Sequence, residues 1–291
     1  MKVNSYPLIR QGKVRDIYDA GEYLLLVATD RLSAFDVILP TEIPGKGRIL
    51  TQLSTFWFHQ TRHIVPNHLV GTDVSSLDVT PEEATWLRGR TMIVRKADRI
   101  DIECVVRGYL AGSGYKEYVQ SGTLAGEPLP TGLQRAAKLG QPAFTPAIKN
   151  DEGHDENISR ERLAGILGPN LARELEVKSV AVYQFANELA AEAGIVLADT
   201  KFEFGYIDGQ LSLIDEVLTP DSSRYWEASS AIADTEPDSF DKQNVRNWLE
   251  TQGWDKTPPG PVIPEDIVRR TLGRYNEVYE RLTAVTKGHI A

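Results

Sequence analysis

An α+β fold is predicted for this chain of 291 residues, on three observations. Short strand-like segments broken by turn residues crowd the first third. The two long amphipathic helical patterns, residues 171–193 and 264–285, come late. No internal repeat or heptad array imposes the regular strand–helix alternation of a doubly wound sheet. In chain order, residues 14–18 and 23–28 read as a hairpin around Asp19-Ala20-Gly21-Glu22. Residues 29–36 form a polar connection. Residues 50–64 carry Leu53, Trp57 and Phe58 at helical spacing. Residues 91–96 and 104–106 read as strands and 114–120 as a short helix. Residues 121–148, rich in Gly and Pro, are expected to loop over the surface. The 171–193 pattern repeats Leu171, Leu175, Tyr183, Ala186, Leu189 and Ala190 on one face and stops at Gly194. A charged hairpin follows, then a helix over 240–251 with Ser239 as N-cap, a Pro-rich linker over 257–264, and a last helix. That helix starts at Pro264 and buries Ile267, Val268, Tyr275, Val278, Tyr279 and Leu282.

Composition narrows the function. A formal net charge of −9 argues against a nucleic-acid binder, which needs surplus Lys and Arg to neutralise phosphates. Small anionic substrates remain open, because a few cations in one cleft suffice to hold them. The single cysteine, Cys104, excludes an intramolecular disulfide and a Cys-based zinc site. Residues 1–12 carry no apolar signal region, and no apolar run approaches the ~20 residues that span a bilayer, so a cytoplasmic protein is expected.

The most informative segment runs from Asp199 to Arg224. In the first strand Asp199, Lys201 and Glu203 share one face and Phe202 and Phe204 the other. The second strand brings Asp215, and the turn after it brings Asp221 and Arg224. A carboxylate pair such as Glu203 and Asp215 can hold Mg²⁺ through oxygen. Parity constrains that idea. A two-residue loop at Asp208-Gly209 would set Glu203 opposite Ile214 and send Asp215 to the Phe202 face. A three-residue loop, Ile207-Asp208-Gly209, would set Asp215 opposite Lys201 and restore the meeting. The metal reading therefore expects an odd loop or a bulge. The competing reading is a sheet face laced with salt bridges.

Three further segments carry chemistry. Gly12-Lys13-Val14-Arg15-Asp16 would place Lys13 and Arg15 on one strand face, fit for a nucleotide triphosphate, although the Gly-x4-Gly-Lys-Ser/Thr spacing is missing. Arg107-Gly108-Tyr109-Leu110-Ala111-Gly112-Ser113-Gly114 runs from a strand into a helix. Its backbone N–H groups, with Arg107 and Ser113, could converge on a phosphate. Lys149, after Phe144-Thr145-Pro146-Ala147-Ile148, could grip a carboxylate. His154, Asp155 and Glu156 invite a metal reading, but neighbours on an extended segment point apart. Asp155 or Asn157 as a helix cap is preferred, with His154 solvated. Lys46, between Gly45 and Gly47, is ambiguous. Together these features suggest an ATP-dependent enzyme acting on a phosphorylated small molecule.

The segments GKVRDIY from Gly12, ATDRLSAFDV from Ala28, VVRGYLAGSGYKEY from Val105, FTPAIKNDEGHDENIS from Phe144, DTKFEFG from Asp199 and LIDEVLTPDSSRYW from Leu213 resemble, in this order, the SAICAR synthetase family. Ile148 and Asn150 depart from the family's pattern and leave Lys149 in place. The resemblance implies a two-lobed α+β fold with a kinase- or ATP-grasp-like nucleotide lobe over residues 1–96 and a larger substrate and metal lobe over 97–291. It implies the ATP-dependent joining of L-aspartate to the carboxylate of carboxyaminoimidazole ribonucleotide in purine biosynthesis, through an acyl phosphate. Carried over, Lys13 and Arg15 contact ATP, and Glu203 and Asp215 hold Mg²⁺. Arg107, Ser113 and Arg224 hold the ribonucleotide phosphate, Lys149 contacts aspartate, and Asp199 and Lys201 line the reacting centre with Arg224. The implied partners are small molecules alone, on a monomer or homodimer. A small-molecule kinase and a non-catalytic nucleotide-binding regulator are the competing readings.

Overall fold

The computed structural model describes residues 3–149 and 156–288. The first sheet is built from a meander. β1 (Leu8–Gln11), β2 (Arg15–Ala20) and β3 (Tyr23–Ala28) run antiparallel, with Gly21 at φ 76 in the turn between β2 and β3. The expected polar connection instead holds a small hairpin, β4 (Ser33–Ala34) and β5 (Val37–Ile38), turned by Phe35 and Asp36 at φ 51 and 64.

Helix α1 (Lys46–Thr61) begins four residues before the periodicity suggests. Gly45 and Gly47 look like helix breakers. Gly45 supplies a left-handed entry at φ 92. A Cβ on Gly47 would stand 2.3 Å from the Ala28 carbonyl oxygen, so only glycine allows this approach of helix to β3. Asp30 Oδ1 accepts the Gly47 N–H at 2.9 Å and so caps the helix from outside it. Leu53, Trp57 and Phe58 are buried as expected. Then β6 (Leu69–Gly71), α2 (Pro81–Leu87) with a Thr80–Glu83 capping box, and β7 (Thr91–Arg95) close the first sheet in the order β1-β2-β3-β7-β6.

The second sheet is larger. It comprises β8 (Asp98–Arg99), β9 (Ile102–Tyr109), β12 (Lys138–Phe144), β13 (Ala147–Ile148), β14 (Glu156–Asn157), β15 (Ile195–Ile207), β16 (Gln210–Ile214) and β17 (Ser223–Glu227). Before β12 stand α3 (Gly112–Ser121) and a two-stranded ribbon, β10 (Thr123–Leu124) with β11 (Glu127–Pro128). Much of the expected surface loop over 121–148 is therefore sheet and ribbon. Leu124, Leu139 and Phe144 are buried, and β12 pairs with β9. The 13-residue β15 organises the sheet, with β9 and β8 along one edge and β17 and β16 along the other.

Helices α4 (Arg160–Leu167), capped by Ser159, and α5 (Pro169–Glu192) follow β14. Asn157 lies in β14 rather than at a cap, and Asn150, His154 and Asp155 lie outside the described residues. Helix α6 (Gln243–Glu250) starts later than expected. Ser239 does not cap it: its Oγ accepts from Asp241 N, and Asp241 Oδ1 accepts from Gln243 N at 2.6 Å. Helix α7 (Glu265–Gly288) buries Tyr275, Val278 and Leu282, while Ile267, Val268 and Tyr279 are only partly covered. One core joins Leu26, Met92 and Val94 of the first sheet, Trp57 of α1, Val106, Phe202 and Phe204 of the second sheet, Tyr183 of α5 and Tyr275 of α7. The α+β reading holds, and the core is continuous from one sheet to the other.

Candidate active site

The charged hairpin meets the parity test in an unexpected way. The loop is the even one: Asp208 and Gly209, at φ 50 and 76, join β15 to β16, and Glu203 stands opposite Ile214. The expected odd loop is absent. Asp215 nonetheless leaves the core face, because it lies just past the end of β16 with φ 65. A left-handed residue breaks the period-two alternation. Arg15 registers the result, with Nη2 2.6 Å from Asp215 Oδ2 and Nη1 2.9 Å from Glu216 Oε2. Two consecutive residues of a regular strand could not meet one guanidinium in this way. Phe202 and Phe204 are fully buried on the other face.

Glu203 and Asp215 line one cavity with Glu103, Lys149 and Lys201. Lys149 pairs with Glu203, and Lys201 pairs with Glu103. Burial and then Asp215 push the Glu203 carboxyl above its usual range. Burial acts the same way on Asp215, but Arg15, Lys149 and Lys201 outweigh it and hold that carboxyl low. Burial would depress the Lys201 ammonium, yet Glu103, Glu203 and Asp215 raise it, so it is a firm cation. Glu103 was not singled out because the expected strand began at Cys104. The period-two pattern Glu103, Val105, Arg107 would have found it.

A second group forms where β9 meets α3. Arg107 and Asp199 are cross-strand neighbours, with Nη1 2.9 Å from Oδ2, and Arg224 pairs with the same carboxylate from β17. Arg107 also donates to Ser113 Oγ and Thr145 Oγ1, both at 3.1 Å. Two guanidiniums on one carboxylate leave positive charge over. It faces the start of α3, where Ala111 offers no side-chain cap to the first N–H groups. That is an anion-binding arrangement. Gly112, at φ 55, permits it: a Cβ there would lie 2.2 Å from Arg224 Nη2.

A third cluster emerges from the fold alone. Fully buried Lys46 places Nζ 2.8 Å from Asp221 Oδ2, Lys242 lies 3.5 Å from Oδ1, and the Tyr275 hydroxyl donates to Oδ1 at 2.9 Å. Burial opposes ionisation of Asp221, but Lys242, Lys46 and Tyr275 hold its carboxyl far below the ordinary range. Four chain segments meet here, which no local pattern announces. Lys13 and Arg15 do not share a strand face as expected: Lys13 sits in the turn before β2 and pairs with Asp36.

Two cavities result. One, of about 730 Å³, is lined by Ser113, Arg224, Asp221 and Lys242 among others. The other, of about 530 Å³, runs from the carboxylates to an apolar end of Ile17, Leu24, Leu26 and Val94. Both are in the range of small-molecule sites. Lys13, Arg15 and Lys201 line both. Among the described residues no three His, Cys, Asp or Glu side chains gather as a metal cage. The donors present, two oxygen carboxylates beside space for phosphates, fit Mg²⁺, which binds through one or two carboxylates with substrate oxygens and water. No described helix is long and apolar enough to cross a membrane.

Comparison with known proteins adds a separate line of observation. Residues 8–261 match the family profile described as SAICAR synthetase. The phosphoribosylaminoimidazole-succinocarboxamide synthase of Methylobacillus flagellatus is 54% identical over 284 residues, covering 97% of this chain and 96% of that relative. The structure of SAICAR-synthase from Saccharomyces cerevisiae complexed with SAICAR superposes with a TM-score of 0.88 at 42% identity over 98% of each chain. A type-2 SAICAR synthetase in complex with ADP superposes with a TM-score of 0.67 at 28% identity, over 94% of this chain and 97% of that one.

Proposed function

This chain belongs to the SAICAR synthetase family, and on that premise we propose that it joins L-aspartate to the carboxylate of carboxyaminoimidazole ribonucleotide, consuming ATP and releasing ADP and phosphate. The observation that carries the reading is the shared wall of the two cavities. A nucleotide with its base at the apolar end of one chamber would bring its γ-phosphate toward Lys13, Arg15 and Lys201. A phosphorylated acceptor in the other chamber, its phosphate on Arg107, Ser113, Arg224 and the start of α3, would bring its carboxylate to the same cations.

The chemistry explains why cations stand at that junction. A carboxylate is a poor electrophile toward an amine. A carboxylate oxygen first attacks the γ-phosphorus and ADP leaves. The aspartate amine, having lost its proton, then attacks the acyl carbon and phosphate leaves. The first step brings two anions together, and fixed cations lower that repulsion most where water is excluded. Lys201 holds its positive charge firmly, which suits it to the transferring phosphoryl group and not to a role as base. Asp199 fixes Arg107 and Arg224. Lys149, paired with Glu203, stands where it could meet a carboxylate of aspartate. Glu203 and Asp215 would hold Mg²⁺, which when bound supplies charge neutralisation at the phosphates. Residues 1–96 would form the nucleotide lobe and 97–291 the substrate lobe, and the enzyme would act in the cytoplasm.

ADP release measured with the ribonucleotide, with and without aspartate, tests the proposal. A ligase turns over fully only with both. Steady turnover indifferent to aspartate, with a phosphorylated product accumulating, would establish a kinase instead.

A further inference from the structure

Asp215 makes a backbone contact with a residue outside the charged hairpin. Asp215 reaches the Glu203 side through its left-handed backbone at φ 65, a conformation that residues with a side chain seldom adopt, aspartate more readily than most. Its carbonyl oxygen lies 3.2 Å from His68 Nε2. A carbonyl can only accept, so Nε2 carries the proton.

His68 is itself held from several sides. Its N–H donates to the Leu213 carbonyl at 3.1 Å, and its carbonyl accepts from Arg95 N at 2.8 Å. Leu213 N donates to Pro66 O at 2.8 Å, and Asn67 bridges Leu213 in parallel. The ring is buried edge-on against Phe58, with centroids 5.3 Å apart. Burial pushes its pKa down to about 4, so the ring is neutral near pH 7 and adds no charge beside Arg15. His68 thus ties β7 of the first sheet to the end of β16 in the second, and its one polar ring contact on Asp215 falls on the residue that departs from strand geometry.

We propose that His68 is a positioning residue, whose Nε2–H on the Asp215 carbonyl holds that residue left-handed and so keeps its carboxylate beside Glu203 for the divalent cation. The proposal rests on the reading of Glu203 and Asp215 as the cation's ligands. Residues that orient metal ligands typically change metal affinity 10- to 100-fold when removed.

The test is direct Mn²⁺ binding to the ADP-bound protein, followed by electron paramagnetic resonance, with thermal melting in parallel. His68→Phe keeps the ring against Phe58 and loses the donor. His68→Gln carries an amide N–H at nearly the reach of Nε2, whereas the His68→Asn amide is too short. Mn²⁺ affinity is expected to fall at least about ten-fold in the Phe and Asn variants and to stay within about three-fold in the Gln variant. Should His68→Phe fail to fold, the Asn and Gln pair alone decides. Equal losses of melting temperature across the variants with unchanged Mn²⁺ affinity would overturn the proposal and leave His68 a structural stitch. Asp215→Asn is the control. If it binds Mn²⁺ normally, the metal reading itself fails. If it loses Mn²⁺ while His68→Phe does not, only the role of His68 falls.

Discussion

Arg224 reaches Asp199 across the backbone of Gly112, and this contact separates two uses of glycine. Gly112 and Gly122 are both left-handed, at φ 55 and 71, but a Cβ on Gly122 would meet nothing within 4 Å. Gly122→Ala should therefore cost only backbone strain, about 1 kcal/mol, and leave kinetics near wild type. Gly112→Ala adds displacement of the Arg224 guanidinium and should raise KM for the ribonucleotide at least about ten-fold, with a smaller effect on KM for ATP. Steady-state kinetics of the two variants check this, and equal effects would refute the contrast. At this scale the grouping of the candidate side chains was largely legible. Lys13, Arg15, Arg107, Ser113, Lys149, Asp199, Lys201, Glu203, Asp215 and Arg224 all line the cavities or pair with residues that do. What was not legible was how Asp215 arrives. A left-handed residue leaves no signature when the side chain is aspartate, and its partner His68 is distant in sequence.

Among the elements, β15 carries most of the site and of the core behind it. Phe202 and Phe204 are fully buried on the face opposite Lys201 and Glu203. Phe202→Ala should cost about 3–5 kcal/mol of stability, read from denaturant unfolding. While folded it should keep KM values near wild type, because the charged face is set by cross-strand pairing with β9. A loss below about 1 kcal/mol would mean the aromatic layer does not support the strand. Strong helix and strand patterns named the right elements here and misplaced their ends. α1 starts early because Asp30, far from its first turn in sequence, caps it. β12 was missed because its Gly140 and Pro142 fall in an irregular stretch between the β9-paired residues Lys138 and Ala143, so the turn-forming residues sit in a bulge and the strand resumes after them.

At the scale of the whole molecule, Asp221 ties α1, the turn before β17, the segment entering α6, and α7 through Lys46, Lys242 and Tyr275. Asp221→Asn would leave two buried ammoniums without their carboxylate and should destabilise by about 3–5 kcal/mol near neutral pH. The pH dependence has a definite sign. Lys242, Lys46 and Tyr275 overcome burial to depress the folded-state carboxyl, so its contribution is present above the unfolded value of about 3.9 and is lost as pH falls below it toward the folded one. The gap in unfolding free energy between wild type and variant should shrink over that interval, and a gap that stays constant would remove Asp221 as its source. This knot could not be read from local patterns, because its members come together only when α1, α7 and the segment entering α6 pack around the turn before β17.

The two sheets meet at two chambers on either side of Lys13, Arg15 and Lys201, and the phosphoryl transfer to a carboxylate that we propose lies at that wall. The direct measurement uses ribonucleotide labelled with oxygen-18 in its carboxylate, with ATP and aspartate, and mass analysis of the phosphate released. Transfer through an acyl phosphate moves one labelled oxygen into each phosphate formed, and the other stays in the amide. Unlabelled phosphate from complete turnover would contradict the account.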